Sequence, residues 1–139
     1  MYRSAPEGLL LLLAARRTRR GELAWGLAKG LIEEGEGSEE TARREVREET
    51  GIEAEIEEDL GEISYFYVWE GIRVKKSVHF YLMRATGGDV SRHDHEMEDV
   101  RWFPAGEALR LASYKTEHEV LSRAAEGLMR ERSAEDGQE

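Results

Sequence analysis

Residues 30–52 read GLIEEGEGSEETARREVREETGI, from Gly30 to Ile52. Ser38 is a good N-cap, and Glu39 and Glu40 suit the positive end of a helix dipole. A helix is therefore expected from there to about Thr50, with Gly51 as the left-handed residue that ends it. Ala42 and Val46, four apart, give it a modest apolar face. Glu45, Glu48 and Glu49 stand at i, i+3 and i+4, so their carboxylates share one face. Unneutralised, such carboxylates repel by a few tenths of a kcal/mol, and by more if partly buried. A cluster of this kind beside an apolar face calls for a cation, and oxygen-only ligands suit Mg²⁺ or Mn²⁺ rather than zinc. Arg44 is one turn from Glu48 and is positioned to hold that carboxylate. Taken alone, three glutamates on a helix of a Glu-rich chain read more simply as solvated; the residues around them reverse that reading.

Upstream, Leu9 to Ala15 reads as a buried strand and Thr18 to Glu22 as a polar turn containing Gly21. Arg16, Arg17, Arg19 and Arg20 are expected in a solvated turn, with contact to a polyphosphate or an RNA end as the sharper alternative. Trp25 to Ala28 reads as a short strand, and Gly30, Gly35 and Gly37 mark a tightly turning loop. Downstream, Ile63 to Trp69 alternates as a strand, and Glu70-Gly71 is a turn signal. A long strand is expected from about Arg73 to Met83, broken by Gly87-Gly88. Val100 to Phe103 is a short last strand, Pro104 starts a short helix, and a final helix runs from about Thr116 to Arg130. From Glu131 the chain reads as a polar, frayed tail. Strands with one helix between them and one at the end make a mixed α/β sandwich.

With 139 residues there is room for one core, so residues 1–139 read as a single domain. Hydrophobic residues are 40% and charged residues 36%, which is a globular and heavily solvated composition rather than a disordered one. The net charge of −10 argues against binding duplex nucleic acid. A small phosphorylated substrate remains compatible if a divalent cation bridges the like charges. There is no cysteine, which removes disulfides, thiolate catalysis and Cys-based zinc sites and fits a reducing cytoplasm. The apolar run Leu9 to Ala15 is too short to span a bilayer and has the wrong flanks for a signal peptide, so no membrane association is expected.

Residues 30–52 resemble the Nudix box in full. Gly30, five residues, Glu36, seven residues, Arg44-Glu45, aliphatic Val46, one residue, Glu48-Glu49, one residue, Gly51 and aliphatic Ile52 all match: seven fixed residues and two aliphatic positions. At average residue usage a chance match at one site is on the order of 10⁻⁸, and Glu-richness raises that about a hundredfold. Trp25-Gly26-Leu27 and Arg101-Trp102-Phe103 also look like their family counterparts, so the likeness covers most of the chain. The resemblance implies a mixed sheet between helices, an α/β/α sandwich of the α+β kind with the box as loop-helix-loop. It implies a Mg²⁺-dependent pyrophosphohydrolase in which Glu45, Glu48 and Glu49, with the Gly30 carbonyl, bind metal, while Glu36 and Arg44 brace the loop and helix. The family usually takes one further carboxylate from outside the box. The run His93-Asp94-His95-Glu96-Met97-Glu98-Asp99 is the obvious source, with Glu96 favoured and Glu98 second. Glu45, Glu96 or Glu98 is then the general base. Ala28 and Glu34 stand where many relatives have proline, which bears on loop rigidity.

Lys29 and Lys75 are candidates to offset phosphate charge. ADP-ribose hydrolases tend to carry a proline about fifteen residues beyond the box, whereas this chain has none between Pro6 and Pro104. Tyr67 stands there instead, as a tyrosine tends to do in dinucleoside polyphosphate hydrolases. Trp25 to Gly30 and Val78 to Met83 also look like that group. Tyr67 or Tyr114 could stack on an adenine, against a plainer role in packing. His79 shares a strand face with Lys75 and Ser77 and is a candidate phosphate contact or a structural histidine. The expected substrate is thus a small nucleotide of the dinucleoside polyphosphate type. The alternatives are an oxidised or ordinary nucleoside triphosphate, ADP-ribose, a nucleotide sugar, an RNA 5′ end or an inositol pyrophosphate. A non-catalytic nucleotide-binding Nudix module is a further alternative, disfavoured by the intact glutamates. Either a monomer or a homodimer is compatible with this reading.

Overall fold

The apolar run beginning at Leu9 becomes the centre of a mixed sheet because nearly every residue in it is buried on one face or the other. The computed structural model describes residues 1–27, 38–95 and 97–136. Six strands are defined there: β1 (Tyr2–Ala5), β2 (Gly8–Arg17), β3 (Leu23–Gly26), β4 (Ile52–Trp69), β5 (Ile72–Gly88) and β6 (Asp99–Pro104). Three helices join them: α1 (Ser38–Thr50), α2 (Ala105–Leu111) and α3 (Lys115–Asp136), with a 3₁₀ turn at Val90–Arg92. The sheet runs β3-β2-β1-β5-β4, and β6 pairs with β2 off that path. The β1–β5 contact is parallel and the other pairings are antiparallel.

Helices cover both faces of the sheet. On one face Leu11, Leu13, Leu82 and Phe103 pack with Leu121, Ala125 and Leu128 of α3 and Ala105 and Ala108 of α2. On the other, Val46 of α1 packs with Ala54 of β4 and Met83 of β5, with Ala42, Ile56 and Tyr81 alongside. Two buried layers on a sheet of mixed direction make the α/β/α sandwich that the box implied.

Several boundaries differ from the sequence expectation. β4 begins at Ile52 rather than Ile63. Its first half carries Glu53, Glu55, Glu57, Glu58, Asp59 and Glu62, and acidic residues are depleted in strands. Here Ala54 is buried and Ile56 partly so, while the acids face water, so burial on one face overrides propensity. β1 was not expected and is tied to the core by the single buried Tyr2. β3 starts at Leu23, where pairing with Arg17 begins. Gly87-Gly88 ends β5 rather than breaking it, since Gly88 pairs with Ile52. α3 continues through Asp136, beyond the Arg130 expected, with no glycine or proline between Arg130 and Gly137 to stop it. No helix among the described residues is long and apolar enough to cross a membrane.

Candidate active site

The C-terminus of α1 is locked by its own backbone chemistry. Gly51 has φ +78° and its N–H donates to the Arg47 carbonyl at 2.9 Å. A Cβ on Gly51 would lie 2.3 Å from the Asp89 carbonyl oxygen, so only glycine allows this approach. The Asp89 N–H donates to the Gly51 carbonyl at 3.1 Å. The buried Thr50 hydroxyl donates to the Val46 carbonyl at 2.5 Å and accepts from the Ile52 N–H at 3.1 Å. These contacts fix the rotation of α1 on the sheet and tie it to the turn that leads into residues 93–99.

With α1 so fixed, its three box carboxylates point to different partners. Arg44 lies between the first two: Nη2 is 3.1 Å from Glu45 Oε1 and Nη1 is 3.1 Å from Glu48 Oε2. Glu49 turns inward, 7% exposed, and its Oε1 accepts from Arg16 Nη2 at 3.0 Å. The same Arg16 donates from Nε to Met97 Sδ at 3.4 Å. Met97 is buried, and its neighbour Glu98 donates its backbone N–H to the Ala15 carbonyl at 2.9 Å. The segment around Met97 therefore lies against the Glu49 end of the helix. The Glu98 carboxylate is 3.4 Å from Arg17 and about half exposed.

Among the described residues no three carboxylates or imidazoles converge as a metal cluster. Two guanidinium groups balance the helix glutamates instead. The donor set still fits a hard divalent cation. It consists only of carboxylate oxygens, the ligand type that such ions take. Glu45, Glu48 and Glu49 would hold such an ion. Lys29, Gly30, Glu36 and Glu96, and the proline-replacing Ala28 and Glu34, lie outside the described residues.

The expected substrate contacts divide between the two faces of the β4–β5 hairpin. Pairing of 61–69 with 72–80 is uninterrupted, with Phe66 opposite Lys75 and Tyr67 opposite Val74. Directly opposed residues share a face and successive ones alternate. Lys75, Ser77, His79 and Tyr81 thus share the face covered by α1 further along, where Tyr81 packs beside Val46. Tyr67 falls on the opposite face, so Tyr67 and Lys75 are not brought together. The His79 ring stacks on Tyr81 with centroids 4.6 Å apart and planes at 20°. Its Nε2 is 2.5 Å from Asp59 Oδ1. The Gly61 N–H, and then the His79 imidazole, hold the Asp59 carboxyl below its ordinary value. Tyr114 is exposed beside Gly26, where a Cβ would be 3.4 Å from its ring.

Three residues of this region were missed from sequence. Arg16 was expected in a solvated turn, but β2 extends to Arg17 and keeps Arg16 in phase with buried Leu12 and Ala14 on the α1 side. That two-residue phase was the available signal. Glu117, 3% exposed, accepts the Leu27 N–H on Oε1 at 2.6 Å and so anchors the exit of β3 toward the box. Its signal was an acid in step with Val120, Leu121 and Ala124 on the buried side of α3. Asp59 had no signal, because its pairing with His79 depends on hairpin register.

Residues 2–124 match the family model described as the NUDIX domain. MutT4 of Mycobacterium tuberculosis is 46% identical over 114 residues, 82% of this chain and 46% of that protein. An 8-oxo-(d)GTP phosphatase of Mycolicibacterium smegmatis is 34% identical over 99 residues, 71% of this chain and 29% of that protein. The chain thus spans less than half the length of either. The asymmetrical bis(5′-nucleosyl)-tetraphosphatase of Sus scrofa is 36% identical over 102 residues, 70% of this chain and 67% of that one. Among solved structures, a C. elegans Ap4A hydrolase binary complex is similar at TM-score 0.71 and 25% identity, covering 92% of this chain and 91% of that chain.

Proposed function

Because the chain belongs to the Nudix family, we propose that it is a Mg²⁺-dependent pyrophosphohydrolase, with Mn²⁺ as a substitute, acting on dinucleoside polyphosphates. The observation that carries the hydrolase reading is the pairing of all three box glutamates with guanidinium groups on a helix end locked by Gly51. Such a set is oriented in advance, which is what a preorganised cation site requires.

When bound, the cation supplies charge neutralisation at the phosphate oxygens and makes water more acidic. The remaining work falls to the chain. Glu48 and Glu49 hold their carboxylates at the helix end, braced by Arg44 and Arg16. A neighbouring carboxylate takes the proton from the attacking water; Glu45, one turn from Glu48 and Glu49 on the same helix, is favoured over Glu98, which is paired with Arg17. Lys75 and His79, on the α1 face of the hairpin, contact the more distant phosphates of a long polyphosphate chain. Tyr114 offers a ring for a base beside the exit of β3.

The dinucleoside polyphosphate lean draws support from the Sus scrofa relative and the C. elegans structure, each named for that substrate class. A second reading, hydrolysis of an oxidised nucleoside triphosphate, draws support from the M. smegmatis relative. The test measures product release from diadenosine polyphosphates, ordinary and oxidised nucleoside triphosphates, ADP-ribose and nucleotide sugars, each with Mg²⁺ and with EDTA. Metal-dependent cleavage led by the diadenosine compounds is expected. Preference for 8-oxo nucleotides replaces the substrate, and no turnover of any compound overturns the hydrolase reading.

A further inference from the structure

The far end of the β4–β5 hairpin carries large apolar side chains on both faces and is open to water. Phe66, Tyr67, Val68, Trp69 and Ile72 are exposed by between 42% (Tyr67) and 70% (Val68). Arg73 covers Phe66 with its guanidinium, 4.0 Å from the ring centroid, and stands opposite Val68 in the hairpin. β4 is also the last strand of its sheet, and among the described residues it pairs only with β5. Its outer edge therefore presents a row of backbone donors and acceptors. Exposed edges are normally guarded by charge, proline or a bulge. The first half of β4 is guarded in this way, by Glu53, Glu55, Glu57, Glu58, Asp59 and Glu62 and by the register shifts among them. The stretch from Tyr65 to Trp69 has none of these devices.

We infer that this edge is an interface between two copies of the chain, formed by antiparallel pairing of β4 with β4 about a two-fold axis near Tyr67. Three observations favour a second copy. The stretch is self-complementary: centred on Tyr67, antiparallel pairing sets Tyr67 against Tyr67 and Phe66 against Val68, and the latter two share a face. A two-fold contact requires such self-matching.

Charge also selects this part of the edge. Residues 52–62 carry six acids and no lysine or arginine, so joining two of those halves would set carboxylate against carboxylate. Residues 63–75 carry Glu70, Arg73 and Lys75, a balance of +1 in a chain of net −10. Two tips can therefore meet where two bases cannot.

The area agrees with a modest dimer. Three half-exposed aromatic side chains with Val68 and Ile72 leave roughly 500 Å² of apolar surface in water. A standard interface takes about 800 Å² from each partner, which the polar surround of the tip can complete.

Sedimentation equilibrium of the chain from micromolar to near-millimolar concentration tests the inference. A reversible monomer–dimer equilibrium is expected, and Val68→Lys should raise its dissociation constant at least tenfold without changing the circular dichroism. Because the chain has no cysteine, Tyr67→Cys introduces a single thiol. Antiparallel neighbours have Cα atoms about 4.5–5.5 Å apart, within disulfide reach. Mild oxidation should then give a covalent dimer with Tyr67→Cys but not with Met129→Cys, at an exposed position on α3. A chain that stays monomeric throughout overturns the inference, as does a dimer that Val68→Lys leaves intact. Should Val68→Lys not fold, equal crosslinking through both cysteine variants overturns it.

Discussion

Arg16 and Glu49 are 33 residues apart in the chain, and the guanidinium Nη2 of one lies 3.0 Å from the carboxylate Oε1 of the other. This contact joins the central strand of the sheet to the last turn of the box helix. Arg16 is half exposed while Glu49 is nearly enclosed, so the pair is a buried carboxylate served by a partner reaching in from the surface.

Replacing Arg16 by methionine keeps most of the bulk but removes the guanidinium partner of the Glu49 carboxylate. Discounted for the exposure of the arginine, the expected loss is about 1–2 kcal/mol. If Glu49 faces the cation site, the loss should be smaller in saturating Mg²⁺ than in EDTA, because the ion replaces the missing charge. Urea unfolding under both conditions measures this, and equal losses would remove Glu49 from the metal site.

Glu48→Gln and Glu49→Gln should each lower turnover by about 10²–10⁴-fold while the protein stays folded. Glu48 is half exposed and its pairing with Arg44 is a surface contact, so its stability change should be within about 0.5 kcal/mol. Initial rates in Mg²⁺, with circular dichroism of each variant, decide the matter. Near-normal rates in both variants would refute the assigned site.

Gly51→Ala should cost about 2 kcal/mol or more. A positive φ costs a residue with a side chain about 1 kcal/mol, and the added Cβ would meet the Asp89 carbonyl at 2.3 Å. The midpoint of urea unfolding is the measurement. A change within error would mean that the 89–92 turn moves away at little cost.

Burial pushes the Tyr2 phenol up to about 12, with help from its hydrogen bond to the Glu57 carboxylate. The folded value lies above the ordinary 10.0, so the protonated form is the one folding favours. Its contribution is complete below about pH 10 and is lost as the pH rises through about 12. Stability should therefore fall between those limits in the parent chain, and less steeply in Tyr2→Phe. Denaturant midpoints across that range test it, and parallel curves for the two proteins would contradict it.

Much of the fold could be read from local pattern. The α1 boundaries follow from the Ser-Glu-Glu start and the Gly51 stop, and β2 and α3 follow from their apolar runs, because each of these signals acts within a few residues. Long β4 was only half legible. Its acidic half looks unlike a strand until Ala54 and Ile56 are seen to share a buried face against α1. In the candidate site, the spacing of Glu45, Glu48 and Glu49 was legible because one helix carries all three.

The sequence by itself determined the family, the helix bearing the carboxylates and the kind of cation they suit, since these depend on residue type and on spacing within one element. Only the tertiary structure decided that Arg16 serves Glu49, that Glu117 anchors Leu27, that Asp59 meets His79 and that Tyr67 and Lys75 part to opposite faces. Each of those relations is set by strand register or by helix rotation on the sheet. Both are fixed by packing summed over many residues distant in the chain, and a shift of one residue in register would turn every side chain of the hairpin to its other face.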